Sequence, residues 1–259
     1  MNSISFYKYQ GTGNDFVIID NRGLNFKNDT KLVKKLCDRK FGIGGDGLIC
    51  LENSENNDFK MVYYNADGHQ SSMCGNGGRC ITAFAKYLGV INDNCTFEAI
   101  DGVHEAKIDI ENNVELKMTD VDNILNYSDD LIVNTGSPHY IKFVNDSQNI
   151  NVAEQGANIR YSNDFKKEGI NVNFAHIKAD KIFCRTYERG VEDETLSCGT
   201  GVTAIAIAAH YQKLFNTEKI TLITPGGELR VKFKKSTTGY EHVWLIGPTE
   251  MVFKGEIIC

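Results

Sequence analysis

Two short segments hold the residues best suited to chemistry. Met73-Cys74-Gly75-Asn76-Gly77 and Ser197-Cys198-Gly199-Thr200-Gly201 share the pattern Cys-Gly-x-Gly, 124 positions apart. Each stands where a helix is expected to open. The first turn of a helix leaves four N–H groups without partners, and the local dipole is positive there. A cysteine at that point is more readily a thiolate. The glycines, lacking Cβ, let an anionic group approach the exposed N–H groups. One such motif also fits a tight turn with a buried thiol. Two copies suit a different task. One sulfur, as thiolate, takes a proton from one face of a carbon, and the other, as thiol, returns a proton to the opposite face. The stereocentre inverts without a cofactor. Acid–base positioning supplies only about 10²–10⁴-fold. The remainder is expected from N–H donors aimed at the developing enolate oxygens, in a cleft closed to water.

The chain must place these two motifs alike, and it carries a second repeat that says how. Thr12-Gly13-Asn14-Asp15-Phe16-Val17 precedes one strand pattern, and Thr135-Gly136-Ser137-Pro138-His139-Tyr140 precedes another, 123 positions later. Two motifs recurring in the same order at nearly one offset imply two similar halves. The expected division is 1–122, joined by a C-terminal strand at 249–259, and 123–248. Strands are expected at Phe16–Ile19, Lys60–Tyr64, Lys107–Ile110, Val114–Met118, Tyr140–Val144, Lys219–Ile223, Leu229–Phe233 and Val243–Ile246. Several alternate strictly, which favours antiparallel or mixed sheets with one wet face. Helices are expected at Thr30–Arg39, capped by Asp29 or Thr30, at Ile81–Leu88 before Gly89, and at the all-apolar run Val202–Ala209. The fold class is α+β.

Composition narrows the function. Of 259 residues, 41% are hydrophobic and 24% charged, which fits a globular chain. The net charge of −6 gives nucleic-acid binding no support. The run Val202–Ala209 is too short to span a bilayer, and the N-terminal segment lacks the apolar core of a signal peptide. A cytoplasmic location with reduced thiols is expected. The eight cysteines contain no C-x-x-C pair, so no metal site is expected. Cys37, Cys50, Cys95, Cys184 and Cys259 read as packing or terminal residues. Cys80, six residues beyond Cys74, does not face it on a helix and reads as core. His69, His104, His176, His210 and His242 have no ligand spacing.

The chain closely resembles the diaminopimelate epimerase family. The matching segments are Gly11–Phe16, Gly42–Gly47, Asn65-Ala66-Asp67-Gly68, Cys74–Gly77, Gly136–His139, Tyr187–Gly190, Glu194–Gly201 and Pro225-Gly226-Gly227, in the family's order over essentially the whole chain. The resemblance implies two pseudo-symmetric halves, each a sheet wrapped around a central helix, with the active site between them. It implies a homodimer and a cofactor-independent isomerase that converts LL-2,6-diaminopimelate to the meso isomer, in lysine and peptidoglycan precursor synthesis. Cys74 and Cys198 are implied as the acid–base pair, and the N–H groups of Gly75, Asn76, Gly199 and Thr200 as the holders of the reacting carboxylate. Asn14, Asn65, Asn171, Glu188 and Arg189 are implied to read the far end, Arg189 as a forked donor to a carboxylate and Glu188 as partner to an ammonium. His139 is implied in a supporting role.

Some positions depart from the family pattern. Many relatives carry Gln at Gly47, Asn at Ser137 and Ser at Thr200. A side-chain contact is therefore missing at Gly47, Ser137 keeps one donor, and Thr200 needs only its backbone N–H. Asn171 rests on a local match in which Asn173 is the competing position. Two other readings share the same residues. One is a racemase of another amino acid, of the histidine or proline type, on the two-cysteine scaffold. The other is a metal or redox protein, which the cysteine spacing disfavours.

Overall fold

A computed structural model describes residues 3–27 and 29–258; Cys259 lies outside them. Among the described residues the chain forms seventeen strands and four helices, numbered in chain order. It divides into two compact units, Met1–Leu116 with Gly247–Cys259, and Lys117–Ile246. The sequence reading placed the changes at 122/123 and 248/249.

The first unit holds β1 (Ser3–Gly11), β2 (Asn14–Asp20), α1 (Thr30–Cys37), β3 (Gly47–Glu52), β4 (Phe59–Asn65), α2 (Gly75–Tyr87), β5 (Asn94–Ala99), β6 (Gly102–Ile108) and β7 (Asn113–Lys117), with β17 (Glu250–Ile258) from the C-terminal end. Its strands pair in the order β17, β1, β2, β3, β4, β5, β6, β7. The β2–β3 and β4–β5 pairs are parallel and the rest antiparallel. Parallel neighbours need a crossover, and α1 and α2 supply the two.

The second unit holds β8 (Ile124–Tyr127), β9 (Asp130–Asn134), β10 (Pro138–Phe143), α3 (Val152–Arg160), β11 (Asn171–Lys178), β12 (Lys181–Glu188), β13 (Asp193–Thr195), α4 (Gly199–Tyr211), β14 (Lys219–Thr224), β15 (Gly227–Lys235) and β16 (Tyr240–Pro248). Its pairing order is β8, β9, β10, β11, β12, β14, β15, β16, with β13 folded back on β12. Here β10–β11 and β12–β14 are parallel and the rest antiparallel. The two units therefore repeat one pattern of eight strands. β17 stands to β1 as β8 stands to β9, so the C-terminal strand supplies the first unit's outer strand. The architecture is α+β in two pseudo-symmetric halves.

Each sheet surrounds one helix. Helix α2 packs on β1, β2, β3, β4 and β6, and α4 on β9, β10, β11, β12, β14 and β15. Gly75–Ala85 of α2 are all buried, as is almost all of Gly199–Ala209 in α4. Both helices are built mostly of small or apolar residues, as burial all round favours, and the buried exceptions in α2, Asn76 and Arg79, hydrogen-bond each other. Thr82 and Thr203, the buried hydroxyls, donate to Gly78 O and Gly199 O one turn back. No helix among the described residues is long and apolar enough to cross a membrane.

The structure corrects three sequence expectations. Helix α1 ends at Cys37 rather than Arg39, because Asp38 turns its carboxylate to the N–H groups of Lys40 and Phe41 at 2.7 and 2.8 Å. The expected strand to Ile110 stops at Ile108. Asp109 takes the N–H groups of Glu111 and Asn113 instead, and Ile110 is left exposed. Helix α3 was not expected. Only Val152 and Gly156 of it are buried, so its apolar stripe is faint. Its signal is the cap: Asn151 accepts from Glu154 N, and the two side chains also bond, a reciprocal arrangement akin to a capping box.

Candidate active site

Cys74 and Cys198 occupy the same station in their units. Each is the N-cap residue of the central helix, with extended backbone, and neither side chain caps its own helix. No acidic residue stands in either first turn. The first-turn N–H groups, including those of Gly75, Asn76, Gly199 and Thr200, thus point out of a helix end whose field favours anions.

In the first unit the sulfur is held by Asn14. Cys74 Sγ lies 3.5 Å from Asn14 Oδ1, and Asn76 Nδ2 donates to the same oxygen at 3.2 Å. Asn14 Nδ2 donates to Asp46 at 2.6 Å, so the carboxylate fixes which way the amide faces. Arg79, fully buried, donates to Asn76 Oδ1 and Thr12 Oγ1 at 3.0 and 3.1 Å. Thr12 has φ +52 and Gly13 φ +85, and Gly11 pairs with Asn14. This is a two-residue turn with both φ positive. A β-branched residue there is strained, and Arg79 helps hold it. Asn65, exposed at the end of β4, is the register partner of Gly47, the residue after Asp46. Its carbonyl accepts from Gly68 N at 2.9 Å, closing the turn that Asp67-Gly68 signalled.

Asp15 anchors this corner. Burial alone would raise its pKa, but Arg39 binds it through two hydrogen bonds and Lys8 pairs with it at 2.7 Å, pulling it down to about 2. A carboxylate whose folded pKa is depressed contributes stability above its unfolded pKa and loses it as pH falls toward the folded value. Asp15→Asn is therefore expected to be less stable than the parent at pH 7, with the gap closing between about pH 4 and pH 2. Urea midpoints across that range check this, and a gap that persists unchanged at pH 2 would contradict it.

In the second unit the partners differ. Cys198 Sγ lies 3.5 Å from Thr200 Oγ1, which lies 2.9 Å from His139 Nε2. His139 is buried, and burial lowers its pKa to about 3, so it is neutral near pH 7. Asn173 bonds to His139, Tyr140 and Thr186, whereas Asn171 bonds to Ser137 and Arg189. Asn171 Nδ2 donates to Ser137 Oγ at 2.9 Å and Asn171 Oδ1 accepts from Arg189 N at 2.9 Å. Arg189 Nη2 also reaches Ser137 Oγ, at 3.3 Å. Asn171, Ser137 and Arg189 thus form one polar group. The Ser137 hydroxyl accepts twice and keeps its proton to donate. Glu188 accepts from Thr195 Oγ1 at 3.0 Å. Asp46, Arg79, Asn173 and Thr186 are the members that sequence reasoning missed as supports.

None of the remaining described cysteines is an N-cap residue. Burial pushes the thiols of Cys37, Cys80, Cys95 and Cys184 up to about 12, and that of Cys50 further. They are packing residues. No cluster of His, Cys, Asp or Glu able to hold a metal exists among the described residues.

The family model for diaminopimelate epimerase matches residues 6–124 and 131–252. The chain belongs to the diaminopimelate epimerase family. A diaminopimelate epimerase of Flavobacterium psychrophilum is 51% identical over 98% of this chain and 100% of its own length. Among solved structures, a phenazine biosynthesis protein of the PhzF family from Bacillus anthracis matches with a TM-score of 0.81 at 14% identity, covering 100% of both chains. A hydroxyproline epimerase from Agrobacterium vitis matches with a TM-score of 0.73 at 12% identity, covering 99% of this chain and 91% of that one. Those two likenesses speak for the fold alone. Within the family pattern, Gly47 has a local reason. A Cβ there would lie 2.5 Å from the Tyr63 ring and 2.6 Å from the Tyr64 carbonyl, so the Tyr63 side chain fills the space beside it. Gly47→Gln is expected to destabilise the protein by about 1–3 kcal/mol. A thermal midpoint equal to the parent's would refute that.

Proposed function

We propose that this protein epimerises LL-2,6-diaminopimelate to the meso isomer, with Cys74 and Cys198 as the two acid–base groups and no added cofactor. It acts as a cytoplasmic homodimer in lysine and peptidoglycan precursor synthesis. The observation that carries this reading is the paired N-cap cysteine: in a family of epimerases, each repeated unit opens its central buried helix with a sulfur that does not cap it. One sulfur, as thiolate, takes the α-proton. The electron pair moves into the carboxylate as an enolate, held by the N–H groups of Gly75, Asn76, Gly199 and Thr200. The other sulfur, as thiol, returns a proton to the opposite face. Asn14, Asn65, Asn171, Glu188 and Arg189 hold the distal amino-acid end, with Arg189 and Ser137 facing its carboxylate. His139 supports Cys198 through Thr200.

Proton NMR of LL-diaminopimelate in D₂O with reduced protein tests this. Loss of the α-proton signal with appearance of the meso isomer is expected; no exchange removes the substrate. Light scattering at twice the chain mass is expected for the dimer, and a monomer mass would remove it.

A further inference from the structure

The hydrogen bonds around His139 have only one consistent set of directions. The Tyr140 carbonyl can only accept, and Asn173 Nδ2 lies 2.9 Å from it. That fixes the amide, whose oxygen accepts from Thr186 Oγ1 at 2.9 Å. The second hydrogen on Asn173 Nδ2 meets His139 Nδ1 at 3.2 Å. Nδ1 must then be an acceptor, and the imidazole proton sits on Nε2. Nε2 donates to Thr200 Oγ1 at 2.9 Å. The hydroxyl's remaining neighbour among the described residues is Cys198 Sγ, at 3.5 Å. Its proton is then free to point at the sulfur, the arrangement a thiolate prefers.

We infer that Asn173 and Thr186 are positioning residues: they hold His139 in its Nε2–H form, which turns the Thr200 hydroxyl toward Cys198 as a donor. This rests on the proposed acid–base role of Cys198. It gives the Thr200 side chain a task beyond its backbone N–H, and it separates Asn173 from Asn171, which faces Ser137 and Arg189. Helix α4 leaves room for the relay only because residue 201 is glycine. Asn173 Oδ1 lies 2.7 Å from where a Cβ would stand, and His139 Cε1 and Thr186 Oγ1 lie at 3.3 Å. The charged group acting on His139 from the adjoining strand end is Arg189, which also disfavours the imidazolium.

Two readouts on the full chain test it. In ¹⁵N-labelled protein, His139 is expected to show an unprotonated Nδ1 and a protonated Nε2, unchanged from pH 5 to 8. In Asn173→Leu that single-tautomer signature is expected to blur. Alkylation by iodoacetamide, followed peptide by peptide across pH, reads the Cys198 thiolate. Thr200→Val is expected to slow Cys198 alkylation at pH 7 by about three- to tenfold and to move its midpoint upward, while Thr200→Ser restores the parent profile and Cys74 stays unchanged. A protonated Nδ1 in the parent protein overturns the inference. So does a folded Thr200→Val with the parent's Cys198 profile. If Thr200→Val does not fold, the parent spectrum and the Asn173→Leu profile decide. Neither readout uses an amino-acid substrate. Absence of α-proton exchange with both signatures intact would remove the epimerase reading and leave the relay standing.

Discussion

Cys74→Ala and Cys198→Ala are each expected to reduce epimerisation of LL-diaminopimelate by at least about 10²–10⁴-fold, the usual worth of one positioned acid–base group. Inversion needs both sulfurs, because the proton that leaves one face must be replaced on the other. Exchange without inversion needs only the sulfur on the face concerned. Each variant is therefore expected to retain, at most, exchange of one stereoisomer with solvent deuterium, and the two variants are expected to differ in which isomer that is. Deuterium incorporation into separate LL and meso samples reads this directly. Equal exchange of both isomers by both variants would sink the two-thiol mechanism. Loss of fold is a poor rival explanation. An N-cap substitution costs up to about 2 kcal/mol when it removes a side-chain cap bond, and neither cysteine makes one.

What could be read from the sequence was whatever is local. Cys-Gly-x-Gly before an apolar run places a sulfur at a helix opening by short-range geometry, and both helices form there. The two repeats, 123 and 124 positions apart, gave the two similar halves because repeated units share one pairing pattern. The supports were hidden for the opposite reason. Asn14 meets Asp46 across 32 positions, Thr12 meets Arg79 across 67, and Asn173 meets His139 across 34. No periodicity announces such pairs; sheet register makes the first and third, and the packing of α2 on β1 and β2 makes the second. His139 and Asn171 are register partners on β10 and β11, and Asn173 follows two residues on, on the same face of the strand. Helix α3 escaped because its apolar stripe is faint and its cap is an asparagine rather than the commoner serine or threonine box.

The second glycine of the repeated motif separates the two halves in a way the motif itself does not. Gly77 and Gly201 hold the same place, three residues after Cys74 and Cys198. Alanine at residue 77 brings its Cβ to 3.2 Å from Ile49 Cδ1 and 3.3 Å from Met61 Cε, the ends of flexible apolar chains that can yield. Helix propensity favours alanine over glycine by up to about 1 kcal/mol in a helix interior, and by less in the first turn where Gly77 stands. Gly77→Ala is therefore expected to stay within about 1 kcal/mol of the parent. Alanine at residue 201 meets Asn173 Oδ1 at 2.7 Å. That amide cannot swing aside without giving up the Tyr140 carbonyl, His139 and Thr186 together. Forcing a methyl into a packed site costs about 1–3 kcal/mol, and the displaced imidazole no longer aims Thr200 at the sulfur. Gly201→Ala is expected to lose both stability and most of kcat, with KM moving less, since Asn171 and Arg189, the proposed holders of the distal end, make none of the bonds lost. Thermal midpoints and steady-state kinetics on the two variants compare them. Equal losses in both would mean that the close contact at residue 201 relaxes as easily as the one at residue 77, and that the second unit's network is not rigid.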